Sequence, residues 1–261
     1  MRKLKKAWLL VVAFVCSLSA CSGQEKEVEV VPKDLRVVSV GDSLTEGIGD
    51  STKTGGYIPY LQDNLVQLEE VKSATFTNYG VKGNRTDQLL ERLDEQKVKE
   101  SIKKADFVII TIGGNDIMKV FKENFGELKV KQFEQERKDY EKRLNDIIVK
   151  VRQSNQEAGI VLVGLYNPFM EMLDDVEEVE EILQDWNETS KQTIEKYDRT
   201  TFVPVEDLFT NSKEDLFYDD QFHPNDRGYE LIGERIFDTI KGEELEELTN
   251  QKIMYVKEEK R

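Results

Sequence analysis

Short apolar runs and helically spaced apolar positions take turns along most of the chain. Leu35 to Val40 is a β-branched-rich run that stops at Gly41. Ala74 to Tyr79 alternates and breaks at Gly80 and Gly83, and Asp106 to Ile112 ends in Gly113-Gly114-Asn115-Asp116. Ile160 to Tyr166 is halted by Asn167-Pro168, and Thr201 to Val205 is the last such run. Runs of this length bounded by turn residues read as buried strands of a parallel sheet. Pro204 argues that the fifth strand lies at an edge.

Helical spacing fills the gaps. Ile58, Leu61, Leu65 and Leu68 share a face within 57–70, and Leu89, Leu90, Leu93 and Ile102 mark one continuous helix over 87–104. Tyr140, Leu144, Ile147, Ile148 and Val151 mark a helix from about Gln132 to Asn155. An acidic helix is expected over 176–197 and a last one over 225–241. Residues 47–56 are glycine-rich and polar, hence a connector. Residues 118–131 read as an irregular charged insertion, 206–224 as a loop, and 242–261 as a charged tail holding a frayed helix or an extra turn. Strands alternating with helices predict an α/β domain over 34–241, its parallel sheet covered on both faces.

The first twenty residues follow a different pattern. Arg2, Lys3, Lys5 and Lys6 precede an apolar stretch, Ala7 to Val15, too short for a membrane span. Leu18-Ser19-Ala20-Cys21 follows, then Ser22-Gly23. This resembles the lipobox of bacterial lipoproteins, which implies a signal peptide over 1–20, cleavage before Cys21 and a lipid on that cysteine. The other cysteine, Cys16, falls in the removed segment, so the mature chain has no disulfide partner for Cys21. Residues 21–33 then form a lipidated tether; Ser22 to Pro32 spans roughly 35–40 Å when extended. The expected location is the extracytoplasmic face of the cell membrane.

Charge narrows the partners. The precursor carries a formal charge of −15, and removing four basic groups and no acidic ones takes it to −19. So acidic a domain is a poor ligand for nucleic acid or for an anionic lipid surface.

Two places carry candidate chemistry. Ser43 lies just past the end of the first strand, where open α/β sheets place their ligand crevices. If a helix follows, its free N–H groups favour negative charge beside that serine. A nucleophilic serine needs a base, and the chain has one histidine, His223. Asp220 stands three residues before it, within reach to fix its tautomer, with Asp219 as the alternative. One histidine and no cysteine cluster leave few metal ligands, and no cofactor is implied.

These pieces resemble the SGNH hydrolase superfamily, the GDSL-type lipases and esterases. The matching blocks are Gly41-Asp42-Ser43-Leu44-Thr45, Asn78-Tyr79-Gly80-Val81-Lys82-Gly83, Gly113-Gly114-Asn115-Asp116 and Asp220-Gln221-Phe222-His223-Pro224. They stand in order across residues 35–240. The resemblance implies a flavodoxin-like three-layer α/β/α sandwich with a five-stranded parallel sheet. It implies Ser43 as nucleophile, His223 as base, Asp220 as its acid, and an oxyanion hole from Ser43, Gly83 and the Asn115 amide. The Gly-x-Ser-x-Gly elbow of the other large α/β hydrolase class is absent. The lipobox and Tyr166-Asn167-Pro168-Phe169 resemble a YpmR-type lipoprotein branch.

The expected protein is a monomeric, membrane-anchored serine esterase acting on a small ester: a lipid, a lysophospholipid or an acetylated glycan. The acidic surface favours short acyl chains. A second reading is a non-catalytic envelope-binding lipoprotein on the same scaffold. The complete set Ser43, Gly83, Asn115, Asp220 and His223 argues against it.

Overall fold

The computed structural model describes residues 31–124, 129–168, 177–210 and 212–254. The signal peptide, Cys21, most of the tether, Phe169 and residues 255–261 lie outside them, as do residues 125–128 of the insertion.

Strand β1 (Lys33–Gly41) is followed by a single-turn helix α1 (Ser43–Glu46) and then α2 (Ile58–Leu65). After β2 (Val71–Gly80) come α3 (Thr86–Arg92) and α4 (Gln96–Ile102). Next come β3 (Phe107–Thr111), α5 (Gly114–Glu123), α6 (Val130–Ser154) and β4 (Gly159–Val163). The chain continues through α7 (Glu177–Ile194), β5 (Thr200–Val203), α8 (Glu206–Thr210), α9 (Asp226–Ile240) and α10 (Glu243–Leu248). All neighbouring strands pair parallel, in the order β2-β1-β3-β4-β5. This is the flavodoxin-like order, and β5 is an edge, as Pro204 predicts.

Period-two alternation sorts the central strands into two cores. Val38, Val40, Val108, Ile110, Ile160 and Leu162 face one helical layer, built on α3 to α7. Leu35, Val37, Phe107, Ile109, Val161 and Val163 face the other, built on α2, α9 and α10. Both faces are buried, which is why these strands read as unbroken apolar runs. The result is the three-layer α/β/α sandwich of the SGNH hydrolases. Among the described residues no helix is long and apolar enough to cross a membrane.

Several elements differ from the sequence expectation, among them α8, which opens the stretch expected as a loop over 206–224. The helix expected over 87–104 is two helices, α3 and α4. In one unbroken helix Leu89 and Val98, nine residues apart, would point roughly 180° from each other. The turn after Leu93 resets the phase, and Leu89, Leu93, Val98 and Ile102 all reach the same core. The insertion expected from 118 begins instead as helix α5, with Ile117 and Val120 buried. The charged tail contains α10, whose Leu245 and Leu248, with Ile253 beyond it, are buried against the sheet. Burial of that kind stabilises by roughly 1.5–3 kcal/mol per side chain. It holds a helix of six residues that would not stand alone in water.

Candidate active site

The sheet order reverses at β1, whose neighbours β2 and β3 lead the chain to opposite sides. A crevice is expected outside the carboxyl ends of the strands at such a point, and that is where the two halves of the site begin. β1 closes at Gly41, where a Cβ would lie 2.1 Å from the Thr111 carbonyl oxygen on β3. The glycine lets the two strand ends approach. Asp42 then caps α1, accepting from the Leu44 N–H at 3.1 Å, and Ser43 becomes its first residue. The Gly47 N–H closes the turn onto the Ser43 carbonyl. Ser43 is 94% shielded, with 6% of its surface exposed.

His223 reaches it from the far end of the sequence. Its Nε2 lies 2.9 Å from Ser43 Oγ, and its Nδ1 lies 2.6 Å from Asp220 Oδ2. The other Asp220 oxygen accepts the backbone N–H groups of His223 at 2.9 Å and Phe222 at 3.1 Å. Partial burial pushes the Asp220 carboxyl up, but these donors outweigh it and hold it below the usual aspartate range. Asp220, not Asp219, is the partner of the imidazole. The loop is pinned from several sides. Tyr218 N–H donates to the His223 carbonyl at 2.8 Å, and Tyr166 OH donates to the Phe222 carbonyl at 2.9 Å. Asn225 caps α9 and donates its amide to Asp215 and Phe217 carbonyls.

The loops after β2 and β3 complete the arrangement. Gly83 has φ +81°, and the space where its Cβ would stand is open, so backbone conformation rather than crowding accounts for the glycine. Asn115, at the start of α5, donates its side-chain amide to the Asn84 carbonyl at 3.0 Å. Arg92 ties the same loop down, donating to Asn84 Oδ1 and to the Tyr79 carbonyl.

Several groups support the site from behind, and the sequence does not show their partners. Asp42 accepts from Thr111 Oγ1 at 2.9 Å, and the Thr111 hydroxyl meets that of Thr45 at 2.7 Å. Burial pushes the Asp42 carboxyl up to about 7, against the pull of the Thr111 hydroxyl and the Leu44 N–H. Behind Asn115, the fully buried Asp116 accepts from the Thr86 N–H and hydroxyl. Arg143 of α6 donates to Thr86 Oγ1 at 2.6 Å and to Asp116 Oδ1 at 3.1 Å, and pairs with Glu136 at 2.5 Å. Burial raises the Asp116 carboxyl, with Thr86 and Arg143 pulling the other way. One of three arginines on an amphipathic helix, Arg143 reads as solvent-facing, so nothing in the sequence points to it. Asp116 stands within a recognisable block, and Thr86 lies three residues past another.

The assembly can move a proton from a serine hydroxyl to an imidazole whose other nitrogen is held by a carboxylate. Beside Ser43 opens a cleft of about 750 Å³, part of it open to solvent.

The chain is similar to several known proteins. The sequence profile of the GDSL-like lipase/acylhydrolase family matches residues 39–231. The Bacillus subtilis protein YpmR is 40% identical over 241 residues, 91% of this chain and 94% of its own. The spore germination lipase LipC of Bacillus licheniformis is 26% identical over 208 residues, 77% of this chain and 94% of its own. The crystal structure of a lipase from a goat rumen metagenome superposes with a TM-score of 0.71 at 23% identity, over 78% of this chain and 97% of that one. By sequence and by fold, the chain belongs to the GDSL-like lipase/acylhydrolase family of serine ester hydrolases.

Proposed function

We propose that this protein is a lipid-anchored, extracytoplasmic acylhydrolase in which Ser43, His223 and Asp220 form the catalytic triad. The carrying observation is the continuous chain from Asp220 Oδ2 to His223 Nδ1 and from His223 Nε2 to Ser43 Oγ, at 2.6 and 2.9 Å. Ser43 Oγ attacks the ester carbonyl carbon while His223 Nε2 takes its proton. The Ser43 and Gly83 N–H groups and the Asn115 amide receive the oxyanion. Asn115 is suited to this because its second hydrogen is spent on Asn84, which fixes the plane of the amide. Collapse of the tetrahedral intermediate breaks the bond to the alcohol, which leaves with the proton from His223. Water, deprotonated by the same imidazole, then hydrolyses the acyl-enzyme. Asp220 orients the imidazole and stabilises it when charged.

The anchor rests on the lipobox around Cys21. The acidic domain is held near the membrane by its tether and faces away from anionic lipid.

The test is hydrolysis of p-nitrophenyl esters together with labelling by a fluorophosphonate probe, which requires an activated serine. Both are expected, and both are expected to vanish in Ser43→Ala. A chain that neither turns over any ester nor takes the label is not a hydrolase of this kind.

A further inference from the structure

Asp50 lies seven residues after Ser43, in the glycine-rich stretch that the sequence reads as a connector. Its carboxylate gathers that stretch around itself. One oxygen accepts the Thr52 N–H at 2.8 Å and the Thr52 hydroxyl at 2.5 Å. The other accepts the N–H groups of Thr54, Gly55 and Gly56 at 2.9, 3.1 and 3.0 Å. Burial pushes the carboxyl up, but these donors outweigh it and hold it at about 2. The loop is therefore shaped from inside by one ionised side chain, whose bonds to N–H groups are of the strong, charge-assisted kind.

The base segment rests on the loop so shaped. At Gly49 a Cβ would stand 2.3 Å from the Pro224 carbonyl oxygen, 3.0 Å from Tyr218 Cβ and 3.4 Å from His223 Cβ. The loop thus closes directly on the backbone that carries the imidazole. Ser51 clasps the first residue of α9, its N–H and hydroxyl donating to the two oxygens of Asp226 at 2.7 and 2.5 Å. Further along α9, the Tyr229 hydroxyl donates to the Ile48 carbonyl at 2.6 Å. At its other end the loop is continuous with α1, where the Gly47 N–H closes onto the Ser43 carbonyl. Nucleophile and base, 180 residues apart in sequence, are referred to each other through this one loop.

Resting on the reading of Ser43 and His223 given above, we propose that Asp50 is a positioning residue for ester hydrolysis. By holding residues 47–56 in shape it sets the seat of His223, and so the approach of Nε2 to Ser43 Oγ. A misplacement of about 1 Å between reacting groups costs on the order of 10²-fold in rate.

The experiment is steady-state kinetics of Asp50→Asn on a p-nitrophenyl ester, repeated in a His223→Ala background on the residual rate and on the rate restored by free imidazole. The amide keeps the size of the side chain but turns an NH2 toward groups that are themselves donors. With His223 present, kcat should fall about 10²-fold and KM should change little. Without it, the same substitution should cost less than about twofold, because a base that diffuses in does not depend on the loop. An equal loss in both backgrounds would mean that Asp50 only keeps the domain folded, and would overturn the proposal. So would an undiminished kcat in Asp50→Asn beside a crippled His223→Ala, which leaves the triad standing. Full activity in His223→Ala would sink the triad reading, and the seat with it.

The clasp supplies a second reading, should Asp50→Asn fold poorly. In Asp226→Asn the amide oxygen can take the Ser51 N–H and the NH2 can donate to the Ser51 hydroxyl, so kcat should stay within about twofold of the parent. Asp226→Ala cuts both bonds and should lower kcat about tenfold or more at little-changed KM. Equal kcat in these two variants would overturn the seat.

Discussion

The side-chain amide of Asn115 donates to the carbonyl oxygen of Asn84 at 3.0 Å, joining the loop after β3 to the loop after β2. Two segments that never meet in sequence are thereby set at one spacing, and the oxyanion donors proposed on each move together. Asn115→Ala removes one donor and the strut. Turnover should fall on the order of 10²–10³-fold while the melting transition stays cooperative. Unchanged kcat on a good ester would remove Asn115 from the mechanism.

Asp220→Asn keeps an acceptor for the Phe222 and His223 N–H groups but presents the imidazole with an amide. The ring then settles in the wrong tautomer or loses its stabiliser. A drop on the order of 10⁴-fold in kcat is expected, with KM little changed. A small effect would point to some other group, Asp219 included, as the partner of His223 in solution.

Asp116 lies fully buried at the start of α5, with Arg143 against it at 3.1 Å. Taking away the cation strands a carboxylate in the core. Arg143→Met should destabilise by about 3 kcal/mol, the lower end for a broken buried pair because Arg143 is itself partly solvated. Adding Asp116→Asn should recover part of that loss. Strict additivity of the two changes in urea unfolding would show that the pair is not coupled.

Asp42 gives the stability a pH dependence of definite sign. Burial pushes its carboxyl up to about 7, whereas an unfolded aspartate titrates at about 3.9. Between those values the folded chain holds the extra proton, so this residue's contribution falls as pH rises from about 4 to about 7 and is flat above. Asp42→Asn retains the cap oxygen without the titration. Its stability relative to the parent should therefore grow between about pH 5 and about pH 8. Two unfolding midpoints that keep a constant gap across that range would contradict the assignment.

Cys21→Ala tests the proposed anchor. The variant should appear in the soluble fraction or remain as unprocessed precursor. Membrane association and processing both like the parent's would remove the lipobox reading.

The parts of the protein legible in sequence are those set by local rules. A strand buried on both faces must be apolar throughout, so β1, β3 and β4 stand out, and Ser43 is found by its place just beyond the first of them. His223 is legible by elimination, being alone, and Asp220 by its spacing. What escaped depends on packing. The break between α3 and α4 is invisible in a run whose composition suits one helix, although the opposed phases of Leu89 and Val98 record it. A helix or extra turn in the tail is legible, but the burial of α10 is not, because Leu245 and Leu248 sit among glutamates. Arg143 and the Tyr166 hydroxyl gain their roles only from partners 27 and 56 residues away.

Ser43 and His223 are separated by 180 residues, and the base enters the chain only after all five strands have been made. A growing polypeptide thus presents its serine long before it owns a proton acceptor. With the triad proposed above, any fragment that stops short of His223 lacks its base however well its first strands have paired. Ester cleavage is in that sense a completion signal, and it reports that the last crossing of the chain has docked.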